Sequence, residues 1–233
     1  VIGGGVNFSP LPGPASRSPD SPPTALFIGE GFHRKGGDLL LRAFAQADPA
    51  PNSPQEPPKA QAVPETYKVL FETTGGNVTV QVTRAWAPLG ADRFHELVTS
   101  GYFNGCAFFR VVPGFVVQFG LAADPKITAK WLESRLKDDP VTQTNKRGSL
   151  TFATSGPDTR TTQLFVNLAN NPTLDGMGFS PFGEVVAGMD VVDKINKEYG
   201  EKPRQDLITS QGAEYLSKEF PKLDLIKTAK IIP

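Results

Sequence analysis

Arg110 is the side chain with the strongest case for chemistry. It interrupts the apolar run Phe108-Phe109-Arg110-Val111-Val112-Pro113-Gly114-Phe115-Val116-Val117-Gln118-Phe119-Gly120. A guanidinium is permanently charged and offers rigid, planar donors. Against an apolar wall that excludes water, such a group could stabilise electron density that develops during a reaction, without moving a proton. Strand alternation puts residues 108, 110 and 112 on one face and residues 116 and 118 on one face of the next run, with Pro113-Gly114 between them as a turn. The pattern alone leaves the plainer reading open, an amphipathic strand whose arginine faces water.

The other common chemistries lack their parts. The chain has two histidines. His33 lies in a proline-rich tract, and His95 has no metal-spaced partner, so it reads as a helix-packing residue. No clustered zinc ligands, phosphate loop or dinucleotide fingerprint is present. Ser155-Gly156 lacks the flanking glycines of a nucleophile elbow. Asp138 and Asp139 sit in a charged stretch and read as solvated. The single cysteine, Cys106, excludes an intrachain disulfide. Between Gly105 and Ala107 it reads as a small buried hydrophobe rather than a reactive thiol. Neither a cofactor nor a metal is expected.

Lys plus Arg and Asp plus Glu both number 24. This balance, with no basic stripe, argues against a broad grip on nucleic acid or anionic membrane. No apolar run approaches the roughly 18 residues of a membrane span. The chain begins at Val1, and its methionines are Met177 and Met189, which reads as a fragment, a processed product or an extended translation.

The elements that must position Arg110 lie in the second part of the chain. Of the 22 prolines, 12 fall within residues 1–64. That tract, mixed with Ser, Ala, Asn and Gln, reads as a disordered extension. Within it, residues 38–47 have the order of a worn export signal, a short apolar run followed by Ala43, Ala45 and Ala47. The run is short and carries Arg42, which leaves export and a cytoplasmic location equally open.

From Tyr67 the chain reads as regular structure. Residues 67–73 and 77–82 around Gly75-Gly76 predict a hairpin. Residues 87–100 predict a helix opened by Pro88 and closed by Gly101, with Ala91, Phe94, Leu97 and Val98 on one face. Strands are predicted at 108–112, 115–119, 150–154, 163–168, 182–186 and 223–232. Further helices are predicted at 189–197 and 215–220, with a short one around 130–136. Many short strands with two main helices predict a mainly β domain over 65–233, a closed antiparallel barrel whose ends are covered by helices.

Two further segments stand in fixed order after the first. One runs from Gly148 through Ala153-Thr154-Ser155-Gly156-Pro157-Asp158-Thr159 to Gln163-Leu164-Phe165-Val166. The other is Leu174-Asp175-Gly176 through Phe182-Gly183-Glu184-Val185, followed by Gly188-Met189-Asp190-Val191-Val192. In order and spacing the three blocks resemble the cyclophilin family of peptidyl-prolyl cis/trans isomerases, whose strings are F-H-R-V-I-P-G-F-x-x-Q-G-G, then G-x-x-x-M-A-x-x-G-P-N-T-x-x-S-Q-F-F-I, then L-D-G-x-x-x-x-F-G-x-V and G-M-x-V-V. The likeness covers nearly all of residues 67–232.

The resemblance implies an eight-stranded antiparallel barrel capped by two helices, with a peptide groove on its outer wall. It implies Arg110 as the catalytic cation and Gln118 beside it. It implies a proline pocket of Phe115, Val116, Phe165 and Leu174, with Gln163 and the main chain at Ala153 and Thr154 holding the peptide. The partners implied are X–Pro segments of client proteins and a cyclic-peptide inhibitor, and a monomer is the default. The chain departs from the family at several points. Thr173 stands where the family has a pocket Trp, Gly178 and Phe179 fall where its pocket His would be, and Phe109 replaces the His before the arginine. Residues 121–141 replace a glycine-rich loop. These changes leave room for a rival reading, a non-catalytic proline-peptide binder on the same barrel.

Overall fold

The structure is a computed structural model, and it describes residues 63–233. The expected extension, apart from Val63 and Pro64, and the export-like run at 38–47 lie outside the described residues. So does His33.

Eight strands form one antiparallel sheet in the order β3-β4-β6-β5-β7-β2-β1-β8. They are β1 (Thr66–Thr73), β2 (Asn77–Thr83), β3 (Arg110–Val112), β4 (Val116–Phe119), β5 (Ser149–Phe152), β6 (Leu164–Asn167), β7 (Pro181–Ala187) and β8 (Ile226–Ile232). The sheet curls until its two edges meet. The segment leading into β3 touches the start of β8 through the bridge Ala107–Leu225, with Phe108 N–H donating to Asp224 O at 3.0 Å and Ile226 N–H to Cys106 O at 2.9 Å. This seam covers the start of both edge strands, where unpaired backbone groups would otherwise be presented, and further along β3 Val111 N–H is taken by Gly200 O at 3.0 Å.

The predicted hairpin is present as β1–β2, with Glu72 opposite Asn77. Helix α1 (Pro88–Thr99) starts at the predicted proline and buries Ala91, Phe94, Leu97 and Val98. The barrel core gathers Phe71, Phe94, Phe103 and Phe119 with ring centroids 5.7–6.1 Å apart, in tilted and edge-on contacts. Such contacts add to the area each ring buries. Helix α3 (Met189–Lys194) adds Val192 to the same core. His95 meets the Tyr67 ring edge-on at 5.2 Å, consistent with a packing role. Cys106 is fully buried, and burial pushes its thiol up to about 12, so it is a hydrophobe here.

Four sequence expectations need correction. Phe108 does not share the face of Arg110. The regular strand begins only at Arg110, and Phe108 turns into the barrel core. The helix in the long loop is α2 (Pro125–Leu132), earlier than 130–136. Asp124 caps it by accepting from Lys126 N–H at 2.8 Å, and Pro125 opens it. Helix α4 (Gln205–Gln211) has no counterpart in the sequence reading. It is short, and it forms by burying Ile208 in a second apolar cluster with Phe109, Leu121, Leu216 and Leu223. Helix α5 (Ala213–Glu219) follows it and contributes Leu216.

The fourth correction concerns Asp139, which is 5% exposed rather than solvated. Its carboxylate accepts from Leu89 N–H at 3.0 Å and Gly90 N–H at 2.9 Å, the free donors of the α1 N-terminus, and from Arg160 Nη1 at 3.1 Å. Arg160 is itself buried and also reaches Asp138 at 3.1 Å. Sequence neighbourhood could not show this, because Arg160 is about 20 residues away. Among the described residues, no helix is long and apolar enough to cross a membrane.

Removing one member of a buried ion pair strands the other. Asp139→Ala is therefore expected to destabilise the domain by about 3 kcal/mol. The midpoint of urea unfolding measures this, and a loss below about 1 kcal/mol would show that Asp138 alone compensates Arg160.

Candidate active site

The site is a product of strand register. Residues directly opposite in an antiparallel pair share a face. Arg110 on β3 lies opposite Gln118 on β4, Gln118 opposite Phe165 on β6, and Phe165 opposite Thr151 on β5. The row crosses the outer wall of the barrel. The intervening residues Val111, Val117, Val166 and Leu150 point into the core. A one-residue slip would exchange the two sets, so the buried valines and leucine hold the cation on the outside.

Gly120 closes β4 in a left-handed conformation (φ +99°), and a Cβ there would collide with the Thr162 carbonyl. Glycine at this position lets β4 end tightly against the segment that carries Gln163. Gln118 Nε2 then donates to Gln163 Oε1 at 2.8 Å, and Arg110 Nη1 donates to Gln118 Oε1 at 3.3 Å.

Beside this polar row lies an apolar slot separate from the barrel core. Val116, Phe165 and Leu174 are buried in it, and Phe115, Ala153 and Phe179 pack against them. The Phe179 ring meets Phe165 edge-on at 5.7 Å. All ten residues singled out from the sequence line one groove of about 600 Å³: Arg110, Phe115, Val116, Gln118, Ala153, Thr154, Gln163, Phe165, Leu174 and Phe179. Thr173, in the place of the family's Trp, is exposed and does not line the groove. Phe179, which falls where the family's pocket His would be, supplies an aromatic wall of the groove.

The groove also takes in residues the sequence reading did not single out. Leu132 and Arg135 come from the long loop, Ser155, Thr159 and Thr161 from the β5–β6 connection, and Gln205 from α4. Thr159 Oγ1 accepts from Ser155 N–H at 3.0 Å and lies 2.9 Å from Thr154 Oγ1, which gives the connection a fixed shape. Ala153 N–H is donated to Gln163 O at 2.9 Å.

A buried amide network holds the slot from behind. Asn171 Nδ2 donates to Phe115 O at 3.0 Å and to Asn167 Oδ1 at 2.7 Å. Asn145 Nδ2 donates to Phe179 O and to Asp175 Oδ1, both at 2.8 Å, and its Oδ1 accepts from Thr151. Asp175 sits in the 3₁₀ turn Pro172–Met177, which carries Leu174. Burial raises the Asp175 carboxyl, but hydrogen bonds from Thr144 and Asn145 outweigh it and hold the group below its ordinary range. These positioning residues carry little local sequence signal, because the contacts that tie them to the slot, Asn145 to Asp175 and Phe179 and Asn171 to Phe115, span 30–56 residues.

Arg110 has a second partner. Its Nε donates to Glu201 Oε1 at 2.7 Å, and Nη2 lies 2.6 Å from the same oxygen. The Arg110 side chain is 27% exposed and that of Glu201 61%. The guanidinium is thus gripped along one edge by a carboxylate, while its Nη1 faces Gln118.

Comparison with known proteins agrees with this geometry. The family model for cyclophilin type peptidyl-prolyl cis-trans isomerases matches residues 68–213. Peptidyl-prolyl cis-trans isomerase A of Dickeya dadantii (strain 3937) is 36% identical over 171 residues, covering 68% of this chain and 90% of that one. The Arabidopsis thaliana peptidyl-prolyl cis-trans isomerase CYP18-1 is 32% identical over 148 residues, covering 60% and 90%. In fold, the chain is similar to a cyclophilin type peptidyl-prolyl cis-trans isomerase from Cryptosporidium parvum, solved also in the presence of the dipeptide Ala-Pro. The TM-score is 0.54 in both cases, at 21% and 22% identity, covering 72% and 71% of this chain and 98% and 99% of those. On the strength of the family match and the shared architecture, this chain belongs to the cyclophilin-type peptidyl-prolyl cis-trans isomerase family.

Proposed function

We propose that Arg110, held beside the Phe115–Phe165–Leu174 slot, carries the family's reaction in this chain, the cis/trans isomerisation of X–Pro peptide bonds. The observation that supports it is the meeting of one fixed cation and an apolar slot of proline-ring character in a single groove. The family binds proline-containing peptides, and X–Pro segments of client proteins are the substrate class.

Rotation about the X–Pro bond faces a barrier of about 18–20 kcal/mol, because the amide loses its resonance. Uncatalysed, it takes on the order of tens to hundreds of seconds. No covalent bond changes, so catalysis requires only that the twisted amide bind better than the planar one. As resonance is lost the proline nitrogen regains its lone pair and can accept a hydrogen bond. Arg110 Nη1, which faces Gln118 in the same groove, is the donor. Phe115, Val116, Phe165, Leu174 and Phe179 clamp the ring. Gln118 and Gln163, with the Ala153 carbonyl and the Thr154 backbone, hold one flank of the peptide while the other turns. A rate gain on the order of 10⁵ requires about 7 kcal/mol. One preorganised charge-assisted contact plus orientation is of that size.

The reading extends to the domain. Residues 65–233 carry the activity without the proline-rich extension, and the domain acts as a monomer. The cyclic-peptide inhibitor of the family would occupy the same groove against Phe179, without the contact a Trp at position 173 would give.

Three outcomes check this. Arg110→Ala is expected to slow isomerisation of a proline-containing peptide at least about tenfold, as loss of one preorganised donor does, while circular dichroism stays native. Near-normal turnover would remove Arg110 from the mechanism, and absence of any rate gain with the unaltered chain would leave a binding module. A protein of residues 65–233 should match the full chain in the same assay, and a truncated protein that fails to fold would refute the boundary. The chemical step should be flat between about pH 6 and 8, since the groove holds arginines and no histidine. Loss should begin only in acid. The stabilisation by Asp175 is present above the carboxylate range of about 3.9 and fades as pH falls through its lower folded value. A bell-shaped profile near neutrality would reveal an acid–base pair.

A further inference from the structure

We propose that Glu201 is a positioning residue for the reaction, setting the plane of the Arg110 guanidinium so that its Nη1 edge faces the proline slot. The inference rests on the role of Arg110 given above and adds to it how that side chain is aimed.

An arginine on a three-residue edge strand has long, rotatable reach, and Gln118 alone holds it only at 3.3 Å. Glu201 supplies the stronger contact. One oxygen, Oε1, takes both Nε at 2.7 Å and Nη2 at 2.6 Å. A planar group gripped along its Nε–Nη2 edge cannot rotate freely about its last bonds, so Nη1 is left pointing the opposite way, toward Gln118. The five N–H donors are not exhausted by these partners, and a donor remains for the substrate.

Glu201 is not a chance surface neighbour, because the backbone beneath it is docked on β3. Val111 N–H donates to Gly200 O at 3.0 Å, using the outer edge of the strand that carries Arg110. Gly200 is left-handed (φ +57°), and the chain makes successive turns there through Gly200 N–H to Lys197 O at 3.2 Å and Lys202 N–H to Tyr199 O at 3.0 Å. Tyr199 meets Phe220 edge-on at 5.1 Å and packs on the second apolar cluster, and Pro203 on the other side is buried. Phe109, the residue before Arg110, lies in that same cluster. The segment that presents the carboxylate and the strand that presents the cation are therefore anchored to one another.

The sign of the effect follows from exposure. The pair is partly solvated, and a pair of this kind shifts an equilibrium by about fivefold at most. Its electrostatic damping of Arg110 is correspondingly weak, and the orienting effect dominates.

The test uses the full chain and isomerisation of a proline-containing peptide. Glu201→Ala should lower kcat roughly three- to fivefold with KM changed by less than about twofold, the ceiling being that of an exposed ion pair. Glu201→Gln, which keeps an acceptor oxygen, should recover most of the loss. The Arg110 Nε–Hε resonance should move in the alanine variant. In an Arg110→Ala background, Glu201→Ala should change kcat by less than about 1.5-fold, as required of a residue that acts only through its partner. An unchanged or raised kcat in Glu201→Ala, an effect on KM alone, or a loss that persists without Arg110 would each overturn the proposal. Full activity in Arg110→Ala itself would instead refute the underlying role of the arginine.

Discussion

A single positive charge has to be kept at the rim of an apolar slot, dry enough to act strongly and paired well enough to stay there. Desolvating a guanidinium is costly, and the cost is offset only where hydrogen-bond partners replace water. Here the replacement is partial by construction. Gln118 and Glu201 take three of the donor directions and leave Arg110 about a quarter exposed. The rest of the domain can be understood as the framework that keeps this compromise from relaxing, either outward into bulk water or inward into a closed internal salt bridge.

The framework is rigid where it must be. Alternation along β3, β4 and β6 commits Val111, Val117 and Val166 to the core, so Arg110, Gln118 and Phe165 are committed to the outer wall. Packed interiors resist small displacements, because each ring or methyl group lost from contact forfeits dispersion energy with no compensating water. The phenylalanines packed edge-on around Phe119 of β4 make that resistance local to the site. On the outer side, buried amides do the same work with direction. Asn171 fixes the Phe115 carbonyl, and Asn145 ties Phe179 to Asp175. A fully bonded polar network specifies one arrangement, because every alternative strands a buried donor or acceptor.

The departures from the usual family pattern are compensated locally. Phe179 stands edge-on to Phe165 and gives the groove an aromatic wall, although Thr173 offers none. The segment 121–141 that replaces the glycine-rich loop is firmly anchored. Helix α2 lays Trp131 under the Arg93 guanidinium at 5.0 Å, and Asp139 plugs the α1 N-terminus while pairing Arg160. The loop thereby brings Leu132 and Arg135 to the groove on a fixed base. Phe109, in place of a polar residue, anchors the second apolar cluster, and that cluster carries the segment leading to Glu201.

The barrel class, the hairpin, α1 and ten groove residues were legible in the sequence because they rest on short-range rules. These are period-two alternation, a proline-opened helix, glycine turns, and blocks of spacing shared with a family. Arg110 could be singled out as an unexpected cation in an apolar run. Its orientation could not, because Glu201 is 91 residues away and nothing in the Lys197–Arg204 stretch marks it as a partner. The same holds for Asp139, which looks like a surface acid until Arg160 and the α1 N-terminus meet it, and for α4, a stretch too short to be helical alone that folds by burying Ile208. Local pattern decides which face of an element is apolar. Which distant polar groups come to share a low-dielectric contact is decided only when the chain closes on itself, since that energy depends on separation in space and not on separation along the chain.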